Sequence, residues 1–410
     1  MRLTFLTTLY PSYIAAFYAA RPGLEGRSYE DQKSQLDRDG YAWNGALEPA
    51  FRPLGYEVRS VYANVAPLQR AWAAAHGISH SLTGWVEEIA LSQIQLFNPE
   101  ILWVDALGVF RKHWIERLRM TCPALRRVLG FTGVDMHDWE TIKACDAMFS
   151  CARHPVAHLK QAGGKAFLFR HGFNPAILDQ LPLARTPPVN QILFTGSIAR
   201  GEGAHLERER LLEAIVDAVP ISIYSPQSEI SYLRDWAKTN LRRGVYFFMQ
   251  ALKKAGVSES TLRKIPKVGG ATDWRKLPLR QINPHLYPRM RPPFYGQEMF
   301  GAMRDHAVTL NKHIDMARGE AGNSRLFEAT GVGACLLTDW KDNLAEMFEP
   351  DREVAVYRNI GECVEKARWL LADAPARAAF ARAGQARVLR EHTFAHRAIE
   401  LDRLIHAELM

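Results

Sequence analysis

Residues 319–339, GEAGNSRLFEATGVGACLLTD, limit the possible fold more than any other part of the chain. The stretch opens as a polar loop, takes on helical spacing through Leu326, Phe327, Thr330 and Gly331, and leaves through the apolar run 334–337. Asn323 is the expected N-cap, Gly331 and Gly333 the helix end, and Asp339 the C-terminal end of a buried strand. A loop, a helix start and a strand end this close in sequence suit an open α/β sheet. Such sheets bind ligands beyond the C-terminal ends of their strands.

Two carboxylates, Glu320 and Glu328, stand eight residues apart in this stretch, with Asn323 and Arg325 between them. Free backbone N–H groups and the helix dipole at 323–325 suit an anion, most naturally a diphosphate. Arg325 would neutralise that charge, and the carboxylates would accept hydrogen bonds from sugar or ribose hydroxyls. Spacing alone leaves a plainer alternative open, in which Glu328 is a solvated helix residue and Glu320 a loop charge.

This E-x7-E text, followed by a Gly-containing turn and an apolar strand, resembles the donor-site motif of retaining GT-B glycosyltransferases. The run NSRLFEATGVGACLLTDWKDNLAEMFEPDREVAVY, the later AGQARVLREHTFAHR and the upstream PPFYGQEMFGAMRDHAVTLNKH are similar to the CgeB-like (spore-maturation type) glycosyltransferases. The likeness covers residues 190–405 and is loose before them. It implies an α/β GT-B fold of two doubly wound, Rossmann-like domains facing across a cleft, with the last helix crossing back. It further implies transfer of a sugar from a nucleotide-activated donor, with retention. Glu320 and Arg325 are then the expected catalytic residues, Glu328 taking the ribose hydroxyls and Glu320 the donor sugar or its phosphate side. The chain departs from the retaining motif after the first Glu, where Ala321-Gly322-Asn323 replaces Gly-Phe-Gly.

Apolar runs at 3–8, 57–63, 100–105, 127–132, 146–151 and 166–171 alternate with helical text, which predicts a parallel, doubly wound sheet. No G-x-G-x-x-G follows the first run, so a dinucleotide-binding oxidoreductase is poorly supported. The aperiodic, proline-rich LPLARTPPVN at 181–190 predicts a linker. It separates an acceptor-side domain, 1–180, from a donor domain, 191–391, and a returning helix, 392–410. Beyond the linker, Gly196-Ser197 resembles the first loop of a GT-B donor domain, and Arg208 leads His205 and Arg210 as its basic partner. Tyr295 and Gly296 open a helix expected beside the base or ribose, while Asn311 and His313 end a strand facing the Glu320 loop. With Asn323 and Glu328 these complete the expected donor-binding set. Asp105, His113, Asp135 and His137 are candidates for a general base by residue type alone. His392 and His396 are expected to pack or cap.

A net charge of +8 favours anionic partners. No helix-turn-helix, RNP-like or finger pattern is present, so nucleic acid is not an expected partner. Nucleotide sugars, phospholipid headgroups and glycan, protein or lipid-linked acceptors remain. Basic residues crowd 241–280, where Val245, Phe247, Phe248, Met249 and Leu252 lie among Arg242, Arg243, Lys253, Lys254, Arg263, Lys264, Lys267, Arg275, Lys276 and Arg280. This is either a surface for an anionic membrane or lipid-linked acceptor, or a helical excursion with its aromatics packed inward; we expect the second. The five scattered cysteines have no CxxC spacing and are expected to be free thiols. The first residues lack a signal-peptide core and no apolar run approaches the ~20 residues of a membrane span. A cytoplasmic protein, at most peripheral at the inner membrane face, is expected. No DxD-type acidic pair ends a strand in the donor half, so transfer without metal or cofactor is expected, the nucleotide sugar being a co-substrate. A sugar-nucleotide epimerase and a non-catalytic GT-B-like envelope or spore-coat protein are the alternatives.

Overall fold

A computed structural model describes residues 1–198, 200, 206–315 and 319–409. The first sheet contains β1 (Arg2–Thr7), β2 (Glu57–Tyr62), β3 (Ile101–Val104), β4 (Arg127–Phe131), β5 (Ala147–Ser150) and β6 (Ala166–Leu168). Its strands are parallel and ordered β2-β1-β3-β4-β5-β6. The order reverses between β1 and β3, where a doubly wound sheet opens a crevice at its C-terminal edge.

Both faces of this sheet are covered, which is why its strands read as nearly continuous apolar runs. Along β3, Ile101 and Trp103 enter one core while Leu102 and Val104 enter the other. The first of these cores also holds Phe394, Ala398, Leu401 and Ile405, so the C-terminal helix Phe394–Leu404 packs on the N-terminal sheet as expected. His396 completes a capping box with Thr393 at that helix's start. His392 is buried against the Met347 carbonyl and Arg397, and its burial, with the Arg397 charge, pushes its pKa down to about 4. Both histidines therefore cap or pack.

The second sheet contains β7 (Val189–Thr195), β8 (Ile221–Tyr224), β9 (Met290–Arg291), β10 (His306–Asn311), β11 (Leu336–Asp339) and β12 (Ala355–Tyr357), ordered β12-β11-β10-β7-β8-β9. The strand pattern gave no sign of β9, which is only two residues long. Between β11 and β12 the chain makes a single 3-10 turn, Leu344–Glu346. The described residues fall into two compact units, one holding Met1–Leu193, Phe294–His313 and the C-terminal part of the chain, the other Phe194–Pro293. Among the described residues, no helix is long and apolar enough to cross a membrane. All five cysteines are free, and burial pushes the Cys151 thiol up to about 11.

Candidate active site

The helix expected after the 319–324 loop is Arg325–Gly331, and it stops where its glycines require. Ala334 N–H bonds the Ala329 carbonyl and Gly333 N–H the Thr330 carbonyl, each at 2.9 Å. This is a Schellman closure around the left-handed Gly333, φ +78°. It turns the chain into β11 and delivers Asp339 to the strand's C-terminal end.

The start of the helix corrects the sequence reading. Its N-cap is Ser324, not Asn323. Asn323 instead donates to the Asn311 side-chain oxygen at 2.7 Å, and Asn311 donates to Thr338 Oγ1 at 3.0 Å. The two asparagines thus tie the loop to the ends of β10 and β11. Asn343, which the sequence reading did not single out, clamps both sides of Ala321: its Oδ1 accepts from the Ala321 N–H at 2.7 Å and its Nδ2 donates to the Ala321 carbonyl at 2.9 Å.

Glu320 has a partner that no local pattern could show. The helix Arg153–Gln161 begins at Ala152, which has no side chain able to cap it, and carries no acid in its first turn. The Arg153 N–H donates to Glu320 Oε2, so a carboxylate from the loop serves as the missing cap. Gly322 allows this approach, since a Cβ there would lie 2.7 Å from the Cys151 carbonyl oxygen.

Arg325 and Glu328 pair with each other at 2.9 Å. The Arg325 guanidinium also rests on the sulfurs of Met299 and Met303, 3.2 and 3.5 Å away. Glu328 is only 7% exposed, so it is not the solvated helix residue of the plainer alternative. The helix Gly296–Asp305 starts at Tyr295 as expected, but its glycine is not open to a ligand. A Cβ on Gly296 would lie 1.9 Å from the Asp39 carboxylate, which occupies that space. The Tyr295 ring meets Tyr13 and Tyr41 edge-on, and its hydroxyl is 2.8 Å from Ser12 Oγ.

His313 and Asp339 form the most charged group of the site. Asp339 Oδ1 lies 2.7 Å from His313 Nδ1 and accepts from the His313 N–H at 3.0 Å. Asp339 Oδ2 faces Lys312 Nζ at 3.1 Å and Lys341 Nζ at 3.5 Å. Burial by itself would push this carboxyl up. The His313 hydrogen bond and the charges of His313, Lys312 and Lys341 outweigh it and hold Asp339 well below the usual carboxylate range. The carboxylate thereby fixes the proton on Nδ1 and aims the ring. His313 Nε2 is buried and has no hydrogen-bond partner among the described residues.

In the smaller unit, the Gly196 N–H bonds the Tyr224 carbonyl at 3.1 Å. Arg208 Nη1 donates to the Ser197 carbonyl at 2.8 Å, and Gln227 Nε2 to Ser197 Oγ at 3.3 Å. Arg208 therefore braces the Gly196-Ser197 loop from beneath. Arg210 is exposed, and His205 lies outside the described residues.

Of the candidates for a general base, Asp105 sits where chemistry is expected, just past β3 and beside the β1–β3 reversal. Its Oδ2 accepts from Thr7 Oγ1 at 2.7 Å. Burial pushes its pKa up to about 7 against the lowering effect of that hydrogen bond. Asp135 lies 3.8 Å from both His154 and His158, while His113 is exposed beside Glu87. Among the described residues, no group of three or more His, Cys, Asp or Glu side chains is placed to hold a metal ion.

Comparison with solved structures gives the fold class. A glycosyltransferase from Rickettsia africae aligns at 9% identity over 99% of both chains, with a TM-score of 0.54. Sucrose-phosphate synthase from Thermosynechococcus elongatus aligns at 10% identity over 99% of this chain and 98% of its own, TM-score 0.53. The Anabaena protein HepE, in complex with UDP and glucose, aligns at 10% identity over 99% of this chain and 100% of its own, TM-score 0.52. The fold is that of the GT-B glycosyltransferases. Within it, residues 242–403 match the protein family described as glycosyl transferase-like. Comparison with curated protein sequences gives no match.

Proposed function

We propose that this chain is a metal-independent glycosyltransferase that moves a sugar from a nucleotide diphosphate to an acceptor hydroxyl. One observation carries the reading: the buried Nε2 of His313, without a hydrogen-bond partner among the described residues, on a ring aimed by an ionised Asp339 at the C-terminal end of β10. A buried polar atom without a partner is costly unless a ligand supplies one. With both ring nitrogens protonated, Nε2–H would donate to a diphosphate oxygen, while the neutral ring would accept from a donor hydroxyl there; Lys312 and Lys341 are cations close by. The glycosyl transferase-like match over 242–403 supports the same class. HepE was solved with UDP and glucose, which makes a uridine nucleotide the first donor to try.

In this reading residues 191–391 bind the donor and residues 1–180 the acceptor. Glu328, held by Arg325, receives the ribose hydroxyls. Glu320 keeps one oxygen on the 153–161 helix and offers the other to the donor sugar. Asn311, Asn323 and Tyr295 position these groups, and Gly196, Ser197 and Arg208 shape a further donor-side loop. Asp105, with a pKa near 7, can take the acceptor's proton. Retention, kinship with the CgeB-like enzymes, cytoplasmic action and a glycan, protein or lipid-linked acceptor complete the proposal.

The test is a thermal-shift screen against UDP, GDP, ADP, CMP and TDP with their common sugar conjugates, with and without EDTA. A ligand that binds only the folded chain raises its melting temperature by mass action. One nucleoside diphosphate should shift the wild type, undiminished by EDTA, and should not shift His313→Asn. Silence across the panel would remove the donor-site reading. Conversion of a nucleotide sugar to its epimer without acceptor would favour the epimerase alternative.

A further inference from the structure

The helix Tyr232–Lys254 has two apolar faces, and the fold uses only one. Met249 is fully buried, and Val245 and Leu252 pack with it on Leu262, Ala271 and Trp274. On another face, Leu233 is 75% exposed and Phe247 60%, and Trp236, Leu241 and Phe248 are each more than half exposed. At 3.6 residues per turn these five side chains fall within roughly 140° of the helix surface. The exposed Ala237, Asn240, Gly244 and Ala251 fill the gaps between them. The expectation that the segment packs its aromatics inward is therefore wrong for Phe247 and Phe248.

Charge is as unevenly placed as exposure. Residues 232–280 carry twelve Lys or Arg and three Asp or Glu, a net of +9. The chain has 52 and 44 in all, so the remaining residues hold 40 and 41 and are close to neutral. Lys238 and Arg242 are exposed on the same helix. Next to it, Arg242, Arg275 and Lys276 line an open pocket of about 500 Å³ together with Trp274 and Asp273.

We propose that this helix lies flat in the interface of an anionic membrane. Leu233, Trp236, Leu241, Phe247 and Phe248 enter the boundary between headgroups and acyl chains, and the pocket at Arg242, Arg275 and Lys276 receives a lipid phosphate. An apolar stripe beside dense basic charge is the pattern of an in-plane amphipathic helix. The helix is not apolar enough to cross a bilayer. Its net charge selects anionic lipid over a neutral surface, and over a second copy of a chain that carries the same +9 there. The inference does not depend on the transferase reading, because lipid binding is measured without any nucleotide sugar.

The experiment is co-sedimentation of the full chain with phosphatidylcholine vesicles, with and without phosphatidylglycerol, across a salt series. Wild type should pellet with the anionic vesicles only, and less as salt rises. Phe247→Asp/Phe248→Asp should weaken partitioning at least tenfold at an unchanged melting temperature, since both rings are outside the core. Lys238→Glu/Arg242→Glu, an independent pair, should weaken it by about five-fold or more for each charge lost and flatten the salt dependence. Failure to pellet with anionic vesicles at low salt overturns the proposal, as does wild-type binding by both variant pairs. A dimer abolished by the aspartates would make the face a self-association surface and overturn it as well.

Discussion

Asp105→Asn probes the half-buried carboxyl at the crevice of the first sheet. Its pKa moves from an ordinary 3.8 to about 7 in the folded chain, because burial disfavours the ionised form. That shift of about three units, at 1.4 kcal/mol each, is worth about 4 kcal/mol. The folded state prefers the protonated acid, so the stabilisation is fully present below the unfolded pKa and is lost as pH rises towards 7. The wild type should therefore lose about 3 kcal/mol relative to Asp105→Asn between about pH 5 and about pH 8. Asparagine keeps the size of the side chain and a carbonyl oxygen for the Thr7 hydroxyl, so the pH-independent difference should be small. Urea unfolding of both proteins across that range measures the difference directly. A stability difference that does not change with pH would show that Asp105 titrates as an ordinary surface carboxyl. It would also remove it as a group able to exchange protons near neutrality.

The remaining predictions concern the donor-side stretch. Arg325→Met and Glu328→Gln should each cost about 2–4 kcal/mol in urea unfolding, and the double variant clearly less than their sum, because each single change strands a mostly buried partner; strict additivity would deny the pair. Glu320→Ala should cost about 1 kcal/mol, as expected for loss of an N-cap, and Glu320→Gln less; a glutamine as harmful as alanine would point away from capping. Asp339→Asn should cost about 3–5 kcal/mol by stranding His313, Lys312 and Lys341 around a neutral amide. Because the Asp339 pKa is depressed, that stabilisation is present above the ordinary carboxylate range and lost at strongly acid pH; equal unfolding midpoints for variant and wild type at neutral pH would refute this.

The fold was legible where local pattern and tertiary role coincide. Eleven of the twelve strands stand within a few residues of apolar runs visible in the sequence, because a strand buried on both faces has to be apolar throughout. The helix ending at Gly331 and the Asp339 strand end were equally plain, since both are set by backbone needs within a few residues. In the candidate site, types and positions were legible but partners were not. Glu320, Arg325, Glu328 and His313 were all picked out, yet nothing in their neighbours says that one caps a distant helix, two pair together, and the fourth leans on Asp339.

By itself the sequence determined the order of strands and helices, the 319–339 loop–helix–strand and the basic bias after residue 241. All of these follow from side-chain periodicity and backbone preference over short windows. Tertiary structure alone decided that a capless helix at Ala152 takes its cap from Glu320, 167 residues beyond Arg153, and that Asp39 fills the space at Gly296. It alone decided which of two apolar faces on the 232–254 helix is buried. The physical reason is the same in each case. Hydrogen bonds, ion pairs and apolar burial are satisfied by whatever lies near in space, and chain distance does not encode that.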